Sequence, residues 1–149
     1  MARSYRNFKQ GRFTPTDRSK FIGKGDPIYR SSYELKFMNW CDHNPNVIEW
    51  GSENVVVPYV HPIDGKVHRY YIDNYVRIRE GKNIQTYLIE IKPAKQVGKP
   101  VKTPRKQKKT FLKECTTWAI NQRKWEYARR YCASKSYKFI ILTEKELNI

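Results

Sequence analysis

Two alternating segments in the middle of the chain, residues 70–75 and 87–93, constrain the fold more than any other feature. Both are rich in Val, Ile and Tyr, which favour β-strands, and both alternate in character along the chain. Residues 80–83 between them read Glu-Gly-Lys-Asn, which is typical of a turn. The pattern predicts an antiparallel hairpin.

This hairpin brings two acidic residues together. With Gly81 and Lys82 at the centre of the turn, Asp73 lies opposite Glu90, with Cβ atoms roughly 4.5–5.5 Å apart. Two like charges at that separation destabilise a sheet unless a cation compensates. Because alternate residues share one strand face, Lys92 points the same way as Glu90. Two carboxylates and an ammonium on one face are the chemistry of metal-assisted phosphodiester hydrolysis.

The ordinary alternative for Glu90 and Lys92 is a solvated ion pair on an exposed strand. Asp73 argues against that alternative, because it lies in an apolar, aromatic strand where an unpaired carboxylate is costly. The sequence therefore favours a metal site over a solvated pair.

Asp73, separated by sixteen residues from Glu90-Ile91-Lys92, resembles the signature of the PD-(D/E)xK nuclease superfamily. The resemblance implies an α/β fold with a restriction-endonuclease-like core of helix, three strands, helix and strand, in which helices flank a mixed central sheet. It also implies that Asp73, Glu90 and the Ile91 carbonyl bind Mg²⁺ or Mn²⁺, and that Lys92 positions the attacking water. Ile72 stands where the superfamily label has proline.

A helix is predicted from Ser31, its N-cap, to the residues before Asn44-Pro45-Asn46. Its inward stripe consists of Tyr33, Phe37, Trp40 and Cys41. Glu34 follows Ser31 by three residues, which fits a capping box with the carboxylate on the Ser31 amide. The superfamily resemblance gives the alternative that Glu34 is catalytic and binds a second ion or orients water.

Short apolar segments at residues 47–50 and 55–60 predict two further strands. The second belongs at a sheet edge or a bulge, because Pro58 has no amide hydrogen. After a turn, residues 67–79 predict one continuous strand that holds Asp73.

A second, long helix is predicted to begin with Thr103 as N-cap and Pro104 as first residue and to end near Ser134. Its apolar stripe consists of Phe111, Cys115, Trp118, Trp125, Ala128 and Cys132. Residues 137–143 then predict a strand that pairs parallel to a neighbour in the sheet.

Gln122 falls on the apolar stripe of this helix, where a polar side chain needs a partner. A backbone contact is the ordinary explanation. The more specific explanation is that Asn121, Gln122 or Lys124 makes a supporting contact at the active site.

The charge predicts a nucleic acid as partner, and the superfamily resemblance implies that it is double-stranded DNA. The chain has 30 Lys and Arg residues and 14 Asp and Glu residues, which gives a formal charge of +16. In a compact fold these positive charges repel one another. Basic residues are frequent in two segments. Residues 1–28 are interpreted as a basic arm or a disordered tail, and residues 93–109 as a basic loop. The predicted nuclease domain comprises residues 29–149 and includes this loop. The expected DNA contacts in the loop are Lys95, Lys99, Lys102, Arg105, Lys106, Lys108 and Lys109.

The absence of a long apolar segment and the pattern of cysteines predict a soluble intracellular protein. No apolar run approaches the ~20 residues that cross a bilayer, and the three cysteines are odd in number and widely spaced, as reduced core thiols are. A zinc site is not expected, because His43, His61 and His68 are not spaced as ligand pairs.

Four segments, residues 30–41, 44–50, 68–73 and 88–93, together resemble the head completion nucleases of large contractile-tailed phages and are similar also to transposon-end endonucleases. The resemblance implies a DNA nuclease in the host cytoplasm that acts late in virion assembly, beside portal or neck proteins, before a tail joins. The alternative is a non-catalytic DNA-binding head protein. An RNA-binding module ranks last, because the aromatic residues follow buried stripes.

Overall fold

The structure is a computed structural model that describes residues 10–148. Its strands are β1 (Gly11–Arg12), β2 (Phe21–Ile22), β3 (Ile28–Tyr29), β4 (Val47–Ser52), β5 (Val56–Val60), β6 (Val67–Tyr71), β7 (Asn74–Glu80), β8 (Asn83–Ile91) and β9 (Lys138–Leu142). Its helices are α1 (Ser32–His43), α2 (Ala94–Val97), α3 (Lys108–Lys135) and α4 (Glu144–Leu147).

A mixed five-stranded sheet forms the centre of the molecule, in the order β2-β4-β7-β8-β9. The strands β4, β7 and β8 are antiparallel to one another, whereas β2 runs parallel to β4 and β9 runs parallel to β8. The predicted α/β fold class is confirmed, and the last strand pairs in parallel as expected. Helix α3 connects β8 to β9, which is how a parallel neighbour is reached in a sheet.

The β7–β8 hairpin has the register that the turn predicts. The pairing runs from Glu80 opposite Asn83 to Asn74 opposite Ile89, and Gly81 in the turn has φ of 63°, in the left-handed region that glycine adopts without strain. Register matters here because a slip of one residue turns every side chain to the other face. The next positions beyond the paired residues are 73 and 90.

The continuous strand predicted over residues 67–79 is wrong, because the chain breaks between β6 and β7. Strand β6 pairs with β5 in a separate two-stranded sheet, and β7 pairs with β4 and β8. At the break, the Ile72 amide donates to the Val55 carbonyl at 3.1 Å and the Glu53 amide donates to the Asp73 carbonyl at 3.1 Å. Asp73 thus lies where the chain leaves one sheet for the other. Pro58 has an edge position, as predicted, since β5 pairs with β6 alone.

Much of the predicted basic arm is folded. Residues 1–9 lie outside the described part, but Phe13 is buried in the core and Phe21 packs edge-on against Trp50, with ring centroids 4.8 Å apart. Strand β2 extends the central sheet through this segment. These aromatic residues pack against residues that are distant in sequence. A local sequence pattern therefore does not predict that this segment is folded.

Helix α1 begins as predicted, with the Ser31 hydroxyl accepting from the Glu34 amide at 3.2 Å. Its buried side is formed by Phe37, Met38, Cys41 and Asp42. Trp40, placed on the inner stripe by the sequence analysis, is 46% exposed. The buried face is therefore turned toward Met38, away from Trp40.

Helix α3 begins at Lys108 with Gln107 as N-cap, so the predicted start at Thr103 and Pro104 is wrong. It ends at Lys135, next to the predicted Ser134. The buried polar residue on its stripe is Asn121 rather than Gln122. No helix in residues 10–148 has the length and apolar character needed to span a membrane.

The carboxylate of Asp42 attaches the N-terminal segment to α1. It accepts hydrogen bonds from the Thr16 amide, the Thr16 hydroxyl and the Asp17 amide, at 2.8–3.2 Å. Burial acts to raise the pKa of Asp42, but these hydrogen bonds outweigh it and hold the pKa below the usual value.

We expect Asp42→Ala to lower the free energy of unfolding at neutral pH by about 1–3 kcal/mol, because the Thr16 and Asp17 donors lose a charged hydrogen-bond partner. Since the folded-state pKa is depressed, this contribution is present above the unfolded pKa of about 3.9 and disappears as the pH falls through the folded value. Urea unfolding of parent and variant at neutral and acidic pH measures the difference. A gap of equal size at both pH values would contradict this account.

Candidate active site

Asp73 lies just beyond the last paired residue of β7. Its Oδ2 atom accepts a hydrogen bond from the Ile91 amide at 2.8 Å. The β7 backbone pairing ends at Asn74, so the side chain of Asp73 takes the Ile91 donor where the backbone ladder stops. Burial raises the pKa of Asp73 well above its usual value, and the charges of Glu90 and Glu34 raise it further.

Glu90 is a buried acid near the end of β8, only 5% exposed. Its Oε1 accepts from the Tyr70 hydroxyl at 2.5 Å, and its Oε2 lies 3.4 Å from the Lys92 Nζ. Asp73 and Glu90 therefore meet at one end of the hairpin, as the register predicts, and Lys92 lies on the same side.

Tyr70 is a site residue that the sequence analysis missed. It belongs to β6 and reaches Glu90 because the β5–β6 sheet packs beside the end of β8. Burial and the negative charge of Glu90 raise the pKa of Tyr70 far above its usual value, so the hydroxyl remains a donor. No spacing signal identifies it, because a tyrosine in a strand is ordinary and the contact depends on the break after Tyr71.

A second ammonium group approaches the site from α3. The Lys124 Nζ lies 5.5 Å from the centroid of the Tyr70 ring and 5.9 Å from that of Tyr59. Burial lowers the pKa of Lys124, and the charges of Glu90 and Asp73 act in the opposite direction. Of the supporting residues expected on this helix, Lys124 is close to the site, whereas a role for Gln122 stays a prediction.

Glu34 is coupled to the site by its charge but is held elsewhere by a hydrogen bond. Its Oε1 accepts from the Arg30 amide at 3.0 Å, so the predicted bond to the Ser31 amide is wrong, although Ser31 does cap the helix. Burial raises the pKa of Glu34, and the charges of Glu53 and Glu90 add to the effect.

The donor set fits a hard divalent cation. Carboxylate oxygens of Asp73 and Glu90 converge beside the Ile91 backbone, and oxygen ligands of this kind hold such ions in proteins. The charge of Glu90 raises the pKa of the Asp73 carboxyl, so Lys92 alone does not fully compensate the two acids, and a bound cation would supply the missing positive charge.

The basic loop borders this site directly, since Pro93 follows Lys92. It contains the short helix α2 and, with α3, encloses a groove of about 690 Å³. Residues lining the groove include Lys95, Lys99, Lys106, Lys113, Trp118 and Asn121. Lys106 is engaged within the protein, because its Nζ contacts Glu114 at 2.6 Å and the Val101 carbonyl at 2.7 Å.

Comparison with known proteins identifies the family. The sequence profile of the TnsA-like endonuclease N-terminal family matches residues 44–144. The chain belongs to the TnsA-like endonuclease family. A similar protein is the head completion nuclease of Enterobacteria phage T4, which is 40% identical over 143 residues, 92% of each chain. The matched range of this endonuclease contains Asp73, Glu90, Lys92 and the basic loop, whereas Glu34 precedes it.

Tyr70→Phe tests the positioning of Glu90 in this TnsA-like endonuclease. We expect the variant to lose about 10- to 100-fold in kcat, since a hydrogen bond to a charged group contributes about 1.5–3 kcal/mol. The ring and its packing remain. Initial rates of DNA cleavage across divalent-metal concentrations measure the effect.

Tyr71→Phe is the matched control, because Tyr71 is the next residue along β6 and is 48% exposed. It should cleave at the parental rate. Equal loss in both variants would assign the effect of Tyr70→Phe to the strand rather than to Glu90.

Proposed function

We propose that this nuclease hydrolyses phosphodiester bonds of double-stranded DNA with Mg²⁺, or Mn²⁺ in its place, held by Asp73, Glu90 and the Ile91 carbonyl. The observation that carries the proposal is the meeting of Asp73 and Glu90 at the end of the β7–β8 hairpin, with the Lys92 Nζ 3.4 Å from Glu90.

The protein groups have different roles at the reacting phosphate. When bound, a divalent ion supplies Lewis-acid catalysis and an acidified water. Lys92 orients the attacking water and offsets the charge that develops on the phosphate oxygens. Tyr70 fixes the carboxylate of Glu90, and Glu34 orients water or contributes to a second ion from the start of α1.

The basic loop supplies the attraction for the DNA backbone. Residues 92–109 contain seven Lys and one Arg and no acidic residue. Lysine and arginine that neutralise phosphates release counterions, which gives affinity without sequence preference. The groove between this loop and α3 is lined from Lys95 onward, three residues after Lys92, so we expect a strand lying in the groove to pass near the carboxylates.

For the biological role, we propose that the enzyme acts in phage head completion, the process in the name of the phage T4 relative. It would trim or cleave packaged DNA in the host cytoplasm before the tail joins, next to portal or neck proteins, and remain associated with the virion. The non-catalytic alternative is disfavoured because a pure DNA binder gains nothing from buried carboxylates facing phosphate.

Asp73→Asn and Lys92→Ala test the chemistry. Each should reduce Mg²⁺-dependent cleavage by at least about 10³-fold, because Asp73 holds the metal ion and Lys92 stabilises the negative charge of the transition state, while DNA retention on a gel stays near the parental level. Closed circular and linear DNA, each with Mg²⁺ or EDTA, serve as substrates and separate endonucleolytic from exonucleolytic cleavage.

Glu80→Gln and Lys82→Ala, at the exposed turn of the same hairpin, are the matched controls. These two should cleave normally. Full activity of either site variant would reject the assignment of Asp73 or Lys92.

A triple substitution of Lys95, Lys99 and Arg105 by Gln tests the loop. We expect weaker DNA binding and a shallower dependence of log Kd on log salt, by about 0.9 for each lost phosphate contact. Fluorescence anisotropy over a range of salt concentrations measures both quantities.

The control removes three charges elsewhere, by changing the exposed Lys82, Lys138 and Lys145 to Gln. Its salt dependence should match the parental one. If the two triple variants behave alike, net charge and not the loop determines DNA affinity.

A further inference from the structure

A second cluster of metal-ligating side chains lies at the tip of the β5–β6 hairpin. His61, Asp64 and His68 place their ligand atoms within 4.8 Å of one another. The His68 Nε2 is 2.8 Å from the Asp64 Oδ2, the His61 Nδ1 is 3.7 Å from the Asp64 Oδ1, and the two imidazole centroids are 4.3 Å apart. Within residues 10–148, it is the one group of three His, Cys, Asp or Glu side chains whose ligand atoms lie this close together.

The hairpin register explains why the sequence spacing concealed the cluster. Tyr59 pairs with His68, and His61 follows Tyr59 by two residues, so both imidazoles project from the same face. The His61 amide donates to the Lys66 carbonyl at 2.8 Å, which closes the turn and brings the Asp64 carboxylate near a nitrogen of each ring. The fold thus brings together two histidines that their spacing in the sequence does not identify as a pair.

Backbone hydrogen bonds hold the side chains in place. The Lys66 amide donates to the Asp64 Oδ1 at 2.8 Å, and the Ile63 amide donates to the His61 Nδ1 at 3.2 Å. The Nδ1 atom is therefore unprotonated, and a metal bound to it would replace the hydrogen bond from Ile63. The side chain of His61 is 16% exposed, whereas those of His68 and Asp64 are 39% and 40% exposed. The cluster is preorganised on one side and open to solvent on the other.

We propose that His61, Asp64 and His68 bind a transition-metal ion of the Zn²⁺ class, separately from the acidic site at Asp73. Two imidazoles and one carboxylate are a ligand set that suits Zn²⁺, with a fourth position left for water. Mg²⁺ prefers oxygen ligands and does not compete well for imidazole nitrogen.

An ion at this position acts on the strand that carries Tyr70. His68 and Tyr70 are two residues apart on one face of β6, roughly 7 Å along the strand. The other end of the turn is tied to α3, where the Arg123 Nη1 donates to the Val60 carbonyl at 3.2 Å. Closing the turn with a metal therefore fixes the hairpin that positions Tyr70 against Glu90.

The test measures metal binding in full-length protein that carries Asp73→Asn, so that the acidic site is weakened and cleavage plays no part. Calorimetric titration with Zn²⁺ in excess Mg²⁺ should give one Zn²⁺ per chain, and Co²⁺ should produce the absorption bands of a site with nitrogen and oxygen ligands. Adding His61→Gln and His68→Gln should weaken Zn²⁺ binding at least 10-fold.

His43→Gln is the matched control, because His43 is the remaining histidine of the chain and lies on α1. It should bind Zn²⁺ like the parent. Ring-nitrogen NMR signals of His61 and His68 should shift with Zn²⁺ while those of His43 do not, and this readout keeps the test valid if the double variant unfolds.

The proposal is overturned if the parent binds no Zn²⁺, if the double variant binds it equally well, or if the signals of His61 and His68 do not move. These results are independent of cleavage, so a failure here leaves the proposed nuclease function untouched, and the reverse also holds.

Discussion

The hydrogen bond from the Ile91 amide to Asp73 is the contact on which the proposed active site depends. It forms because β6 and β7 are not one strand: the backbone ladder of β7 ends at Asn74, and a carboxylate occupies the position that a carbonyl would otherwise fill. The same end of β8 presents Glu90. A slip of one residue in the hairpin would turn Glu90 to the opposite face and separate the two acids.

The buried acids cost free energy that the fold must offset. Taking carboxylates out of water is unfavourable unless hydrogen bonds and opposite charges compensate. Tyr70 and Lys92 compensate Glu90, the Ile91 amide compensates Asp73, and Lys124 adds a partly desolvated charge from α3. These groups come from different elements, so the site exists only when both sheets and the long helix are in place.

Local patterns in the sequence predicted the parts of this structure that local forces determine. The Gly81 turn and strand alternation gave the hairpin register, and Ser31 gave the start of α1. The break before Asp73, the role of Tyr70 and the packing of Phe13 escaped prediction, because each depends on contacts between distant segments. The fold class followed from element order, whereas the groups supporting the acids required coordinates.

In the function that we propose, DNA affinity and catalysis belong to adjacent but different parts of the chain. A DNA backbone approaching Asp73 and Glu90 meets like charge, so the acidic site alone repels its substrate. The loop that begins at Pro93 carries cations without acids, and it follows Lys92 with no intervening element. Because β8 fixes Lys92, the start of the loop is fixed too, and the proposed attraction for phosphate would act beside the carboxylates. The positions of both proposed functions therefore derive from the end of one strand.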